Sequence, residues 1–239
     1  MDHERPEAVS APWRVAAALV FVEDVEGPEL TPDDTHHLQR VLRLRPGAPI
    51  VLSDGRDRVR PASLGDRGAL DDLGDIEVLP PVDDPVTVGV APPKGERLEW
   101  LVGRLCELGV DSIQVLTADR SVVRWDGDRW ERAADRLRRV VRSAASQCRR
   151  PRLPVVVRAD LEDLLREGVP VADLEGRLPG PSDRHLLIGP EGGWSERERD
   201  LAVRGGGRVR LAGDVLRVET AAVAAASTLG LARLRSSPG

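Results

Sequence analysis

The sequence predicts an α/β protein of two domains, and three observations carry that reading. The first eighty residues break into short apolar runs separated by Asp-Gly, Gly-Asp and Pro-Gly, the punctuation of a small β-barrel. Pro80-Pro81-Val82-Asp83-Asp84-Pro85 follows, a stiff linker that divides the chain into domains at 1–80 and 81–239. Beyond it strands alternate with helices, the pattern of a largely parallel sheet with helices on both faces.

In the first domain the strands fall at 15–22, 48–52, 59–64 and 76–79. Between the first two, Thr31 caps a helix whose first position is Pro32, and apolar residues keep helical spacing until Pro46-Gly47 ends it. The second domain opens with a strand at 86–90 and a helix at 96–108 stopped by Gly109. A strand at 112–116, a long helix at 131–148 stopped by Pro151, a strand at 154–157 and a short helix at 161–166 come next. Residues 176–184, with Gly176, Pro179, Gly180 and Pro181, read as a surface loop. Strands at 185–188 and 208–212 each run into a helix, the second at 220–234.

With 239 residues, 41% of them hydrophobic, the chain can bury a sizeable core. No apolar run reaches membrane-span length, and Met1-Asp2-His3-Glu4-Arg5 starts neither a signal nor a transit peptide, so a soluble cytoplasmic protein is expected. Cys106 and Cys148 are the only cysteines, both on predicted helices, and read as reduced, buried thiols; no Cys/His/carboxylate spacing makes a metal site. The net charge of −5 argues against indiscriminate coating of nucleic acid, yet from Arg120 to Arg158 twelve arginines face four carboxylates. Such a stripe is either a localised RNA footprint or a solvated helix face.

Two stretches carry the chemistry. Leu187-Ile188-Gly189-Pro190-Glu191-Gly192-Gly193-Trp194-Ser195 takes a buried strand into a glycine loop and then a helix. The three glycines permit positive φ and close backbone approach, Pro190 stiffens the turn, and Ser195 with Glu198 forms a capping box. By itself this reads better as an ordinary strand-to-helix turn, since it matches neither dinucleotide nor P-loop spacing. Leu216-Arg217-Val218-Glu219-Thr220-Ala221 makes a second such junction. Two of them in successive βα units belong at the carboxyl edge of an open sheet, where α/β proteins bind ligands.

Together these two motifs resemble the signature of the RsmE-type 16S rRNA uridine N3-methyltransferases, members of the trefoil-knotted SPOUT methyltransferases. The resemblance extends over Lys94-Gly95-Glu96, Glu107-Leu108-Gly109-Val110, Arg120-Ser121 and Gln147-Cys148, and to a PUA-like barrel around His36, His37, Arg40 and Arg43. Two departures are Ser146-Gln147-Cys148-Arg149-Arg150 in place of Glu-Gln-Cys-Gly-Arg, and Val218 in place of the threonine of Arg-Thr-Glu-Thr; neither removes a glycine or a charge from the two loops. On this resemblance the fold is a PUA-like domain followed by a knotted methyltransferase domain, and the cofactor is S-adenosylmethionine. Its site would comprise Leu187, Ile188, Gly189, Pro190, Glu191, Gly192, Gly193, Leu211, Gly213, Val215, Leu216, Arg217, Glu219, Thr220 and Ala221. RNA contacts would come from Arg40, Arg43, Lys94, Arg120, Arg149 and Arg150, with 16S rRNA in the small ribosomal subunit as partner.

Deprotonating uridine N3 builds charge on O2 and O4, so Arg217 is assigned to that charge and Glu219 to the proton or to ordering the cofactor. The structural alternative is that the two pair with each other beside the helix start. The helix at 220–234, alanine-rich on every side, is expected to be buried either against a second subunit in a homodimer or within its own domain. Two readings compete with the stated function: the same fold acting on another rRNA or tRNA nucleotide, and a non-catalytic RNA-binding module.

Overall fold

The computed structural model describes residues 11–93, 97–123 and 127–236. The chain divides into two compact units, one of Met1–Pro81 with Ala145–Leu153, the other of Val82–Ala144 with Pro154–Gly239.

In the first unit a short helix α1 (Pro12–Val15) precedes β1 (Ala18–Phe21), so the strand starts later than the apolar run suggested. Helix α2 (Pro32–His36) begins with the expected cap: Thr31 Oγ1 accepts from Asp34 N at 3.1 Å, and Thr31 N donates back to the Asp34 carboxylate at 3.2 Å. It then widens into a π-helical turn over His37–Val41, where Leu42 N donates to His37 O at 2.9 Å. Arg43 in the left-handed region (φ 54°), with Leu44 N bonded to Leu38 O, ends the helix before Pro46-Gly47 is reached.

Strands β2 (Pro49–Ser53), β3 (Arg58–Leu64), β4 (Leu70–Asp71) and β5 (Glu77–Val78) complete a five-stranded sheet ordered β1-β2-β3-β4, with β5 also on β3. Among the described residues β1 pairs only with β2 and in parallel. The core beneath holds Val20, Val25, Leu38, Ile50, Leu52 and Leu64.

Residues 145–153 are sewn to this sheet through backbone carbonyls. Buried Ser53 donates from Oγ to Pro151 O at 2.7 Å, Leu153 N donates to Gly55 O at 2.9 Å, and Arg152 Nη2 donates to Leu79 O at 3.0 Å. Arg149 Nη1 reaches Arg14 O at 2.9 Å.

The second unit is a six-stranded sheet in which every described pairing is parallel. Its strands are β6 (Thr87–Val90), β7 (Ser112–Val115), β8 (Val155–Arg158), β9 (Val171–Arg177), β10 (His185–Ile188) and β11 (Arg208–Val209), ordered β11-β9-β10-β6-β7-β8. Helices α3 (Arg97–Glu107), α4 (Gly127–Cys148), α5 (Leu161–Arg166), α6 (Glu196–Arg204) and α7 (Val218–Ser236) connect and cover it, apart from the last four residues of α4, which belong to the first unit. Strand β9 takes Gly176 and Arg177 from the start of the expected surface loop, and 178–184 is turn and coil as expected. The strand bonds in the ladder at Val171 and Arg177 with a register break between them, and its middle carries the carboxylates Asp173 and Glu175.

Helix α7 buries Val218, Ala222, Ala225, Ala226 and Leu229 within its own unit, against α3, β6 and β10. Burial inside the domain therefore accounts for the alanine-rich half, while Leu231 and Leu234 stay exposed. Of the two thiols, Cys106 is buried as expected; Cys148 is exposed, because it closes α4 where the chain turns at Arg149 (φ 57°). Among the described residues no helix is long and apolar enough to cross a membrane, and no group of three His, Cys, Asp or Glu could hold a metal ion.

His185, the first residue of β10, packs with Nε2 2.9 Å from Gln114 Oε1. Burial pushes its pKa down from 6.5 to about 4, so the folded state binds the proton less readily than the unfolded chain. Its contribution is therefore full above pH 6.5 and is lost as pH falls toward 4. Denaturant titrations should show wild type losing on the order of 2 kcal/mol more than His185→Gln between pH 7 and pH 5.

Candidate active site

Beyond the carboxyl ends of β10 and β11, and beside the middle of β9, lies a cavity of about 540 Å³. One wall is the glycine loop from Ile188 to Trp194, and a second is the segment from Leu211 to Arg217 with the first turn of α7. The third is the irregular middle of β9, Ala172 to Glu175, and Arg199 reaches in from α6.

The glycine loop is fixed by one aromatic side chain. Trp194 is buried at 3% exposure, and its Nε1 donates to Ala172 O at 3.0 Å, which ties the loop to β9. Its indole lies against the Gly189 backbone so closely that a Cβ there would come within 2.9 Å of Cε2. Gly193 takes φ 68° and donates to Pro190 O at 2.8 Å. Ser195 then caps α6, accepting from Glu198 N while Glu198 accepts from Ser195 N at 2.7 Å.

The three glycines do not share one role. Positive φ belongs to Gly193 alone; Gly189 is required by the indole, and Gly192 lies outside the cavity lining. A Cβ on Gly192 would meet Arg120 Cβ at 3.3 Å, and Gly192 O accepts from Arg120 Nη1 at 3.0 Å. The expectation of positive φ at all three therefore fails at two.

Of the residues expected to hold a cofactor, Ile188, Gly189, Pro190, Glu191, Gly193, Leu211, Val215, Leu216, Arg217 and Ala221 line the cavity. Leu187 is fully buried on the core side of β10, and Gly192, Gly213, Glu219 and Thr220 flank the cavity without lining it. Glu219 does not pair with Arg217: its carboxylate accepts from Arg97 Nη1 at 3.2 Å and staples the start of α7 to the start of α3. Arg217 is exposed and makes no ion pair among the described residues.

The sequence did not point to the lining from Ala172 to Glu175, nor to Trp194 and Arg199; Ala212, Asp214 and Val218 fall inside the second junction without having been singled out. Trp194 stands inside the glycine motif and was within reach of the reading. Asp173 and Glu175 carried no signal, because their placement depends on the break in β9.

The lining brings four carboxylates (Asp173, Glu175, Glu191, Asp214) against two guanidiniums (Arg199, Arg217). Asp173 sits 3.6 Å from Arg199 Nε and 3.8 Å from Arg208 Nη1, and Glu175 accepts from Arg208 at 2.7 Å. A cavity of this size, glycine-walled and weighted toward carboxylate, fits a nucleoside-sized ligand with a cationic centre.

The expected RNA contacts scatter. Arg40 is exposed on the π-helical turn and Arg43 just after it, with no ion pair among the described residues. Lys94 lies outside the described residues. Arg120 is exposed beside the glycine loop, Arg150 is half-buried, and Arg149 spends its guanidinium on the carbonyls of Arg14 and Ala17, which makes it a brace for the first unit.

A family model described as an RNA methyltransferase domain matches residues 80–230, and one described as an RNA methyltransferase PUA domain matches residues 30–69. Ribosomal RNA small subunit methyltransferase E of Mycobacterium bovis is 34% identical over 226 residues, spanning 83% of this chain and 84% of that protein. A solved methyltransferase from Legionella pneumophila, in complex with the bound cofactor SAM, superposes with a TM-score of 0.72 at 25% identity, covering 90% of this chain and 97% of its own. Ribosomal RNA small subunit methyltransferase E from Neisseria gonorrhoeae, bound to S-adenosyl methionine, shares the fold with a TM-score of 0.71 at 23% identity, covering 90% of this chain and 97% of that one.

Calorimetry with S-adenosylmethionine tests the division of labour among the glycines. Gly189→Val should lose binding by more than about tenfold, because its side chain must displace the indole that forms the wall. Gly192→Ala should bind within about threefold of wild type. The reverse order would place the close approach at Gly192.

Proposed function

The chain belongs to the RNA methyltransferase family of ribosomal RNA small subunit methyltransferase E. On that footing we propose that it transfers a methyl group from S-adenosylmethionine to N3 of one uridine in 16S rRNA. The observation that carries this reading is the glycine-walled cavity at the carboxyl edge of the parallel sheet, inside the residues that match the methyltransferase model.

Held there, S-adenosylmethionine would supply the methyl group on a cationic sulfonium. The Trp194-braced loop from Ile188 to Gly193 would hold it from one side and the segment from Leu211 to Arg217 from the other. The carboxylates of Asp173, Glu191 and Asp214 suit its positive charge. Arg217, at the cavity rim and without an ion pair among the described residues, acts on the negative charge that appears on the uracil oxygens as N3 loses its proton. Glu219, already paired with Arg97, orders the junction at which Arg217 sits.

The same reading covers the finer architecture. We take the first unit as a PUA-like barrel that seats RNA through Arg40 and Arg43, a view supported by the PUA-domain match over residues 30–69. We take the second as a trefoil-knotted SPOUT domain on family likeness. We place the enzyme in the cytoplasm, where ribosomal subunits are assembled, and assign it a homodimer. Supporting the dimer are apolar side chains left exposed on two helices packed together: Trp100 of α3, and Leu231 and Leu234 of α7.

Two outcomes are expected. Light scattering should give about twice the 26.0 kDa chain mass, and Leu234→Glu, at an exposed position, should halve it without loss of fold. Deleting the gene should abolish one reverse-transcription stop in 16S rRNA, since N3-methylation blocks the Watson–Crick edge. Arg217→Ala should fail to restore that stop at the wild-type rate, with a loss of about 10²–10³ in rate and little change in cofactor affinity. A stop that persists in the deletion strain overturns the substrate assignment.

A further inference from the structure

Among the described residues Glu198 alone combines a charge with near-complete burial, at 1% exposed. A helix cap does not require that. Exposed carboxylates at the same helical position satisfy a first turn equally well, and burying a charge costs several kcal/mol unless the protein compensates it. Here the second carboxylate oxygen accepts from a different loop: Oε2 takes Ser195 N at 2.7 Å, and Oε1 takes Asp119 N at 2.8 Å.

Asp119 lies in the β7–α4 connection, which is fastened around this contact at several further points. Ser195 Oγ donates to Asp119 Oδ2 at 2.6 Å, and Arg197 Nη2 donates to Asp119 Oδ1 at 3.2 Å. Within the connection, Ala118 N donates to Ser121 Oγ at 2.9 Å and Ser121 N to Ala118 O at 3.0 Å. Ser121 is one of only three buried polar or charged residues among those described, and Glu198 is another. Arg120, between Asp119 and Ser121, extends along the glycine loop and donates from Nη1 to Gly192 O at 3.0 Å. Its guanidinium is exposed, and the bond to Gly192 uses one of its donors.

We propose that Glu198 is a positioning residue: by bonding Asp119 N it straps the β7–α4 connection to the start of α6, and so sets Arg120 beside the methyl-donor loop with its free N–H donors toward an RNA phosphate. The inference rests on the function proposed above. A carboxylate suits the task because it accepts two N–H donors at once with no donor of its own, at the positive end of α6. Glutamine in its place would turn an NH₂ toward one of those donors.

The test combines filter binding of 16S rRNA with steady-state methylation on Arg120→Ala, Glu198→Gln and the double variant. If Glu198 acts through Arg120, each single variant raises Kd and KM for RNA about tenfold and keeps kcat and S-adenosylmethionine affinity within about twofold; the double variant is no worse than either by more than about twofold. Hydrogen exchange at Asp119 N should accelerate in Glu198→Gln and stay slow in Arg120→Ala. Should Glu198→Gln fail to fold, Ser195→Ala, which removes the hydroxyl bound to Asp119, must give a smaller rise in the same two RNA constants. Multiplicative losses in the double variant, or a loss confined to cofactor affinity, overturn the strap. A wild-type protein that binds 16S rRNA with these variant effects but does not methylate it overturns the function and leaves the strap standing.

Discussion

The site depends on one contact, the indole of Trp194 laid against the Gly189 backbone. Any side chain at Gly189 would occupy the space of the ring, and the ring nitrogen is spent on Ala172 O in the neighbouring strand. A strand, a loop and the start of a helix are thereby set at fixed distances by one rigid group whose polar tip is satisfied. The cavity walls inherit that rigidity. The far wall, from Leu211 to Arg217, has few comparable internal bonds and is held instead by α7, whose first turn is pinned by Arg97 and Glu219 and whose alanines pack on α3 and the sheet.

The alternation of strands and helices was legible because buried parallel strands are continuous apolar runs: Val88, Val90, Ile113, Val115, Leu186 and Ile188 are all essentially inaccessible. Strand β9 was not legible for the opposite reason. It leaves the ladder between Val171 and Arg177, so Asp173, Leu174 and Glu175 face the cavity and the sequence there looks like a loop. The glycine motif located the site but could not divide its roles, since φ and close approach leave the same residue type behind. The return of residues 145–153 to the first unit was likewise hidden, being made by carbonyl acceptors, which every residue carries.

Arginine shapes both units in a way that net charge conceals. Lys94 is the only lysine in the chain. The forked, always-charged guanidinium reaches several carbonyls at once, as Arg60 does with Gly74, Val25 and Glu26, and Arg152 with Leu79 and Pro80. A count of basic residues along the sequence therefore overstates what is offered to a polyanion. Arg149 and Arg152 belong to the stripe by sequence and to the scaffold by geometry.

The nine residues from Ala145 to Leu153 also bear on how the protein is made. The Ser53 hydroxyl proton and the carbonyls of Gly55, Leu79 and Arg14 find partners in that segment, which follows the first sixty or so residues of the second unit in the chain. On the ribosome, the N-terminal sheet emerges first and must wait with those groups in water while β6, α3, β7 and most of α4 are synthesised. The two units are thus entangled in translational order: the earlier one is finished by residues of the later half, and the linker near Pro80 does not mark a point at which a nascent first domain is complete.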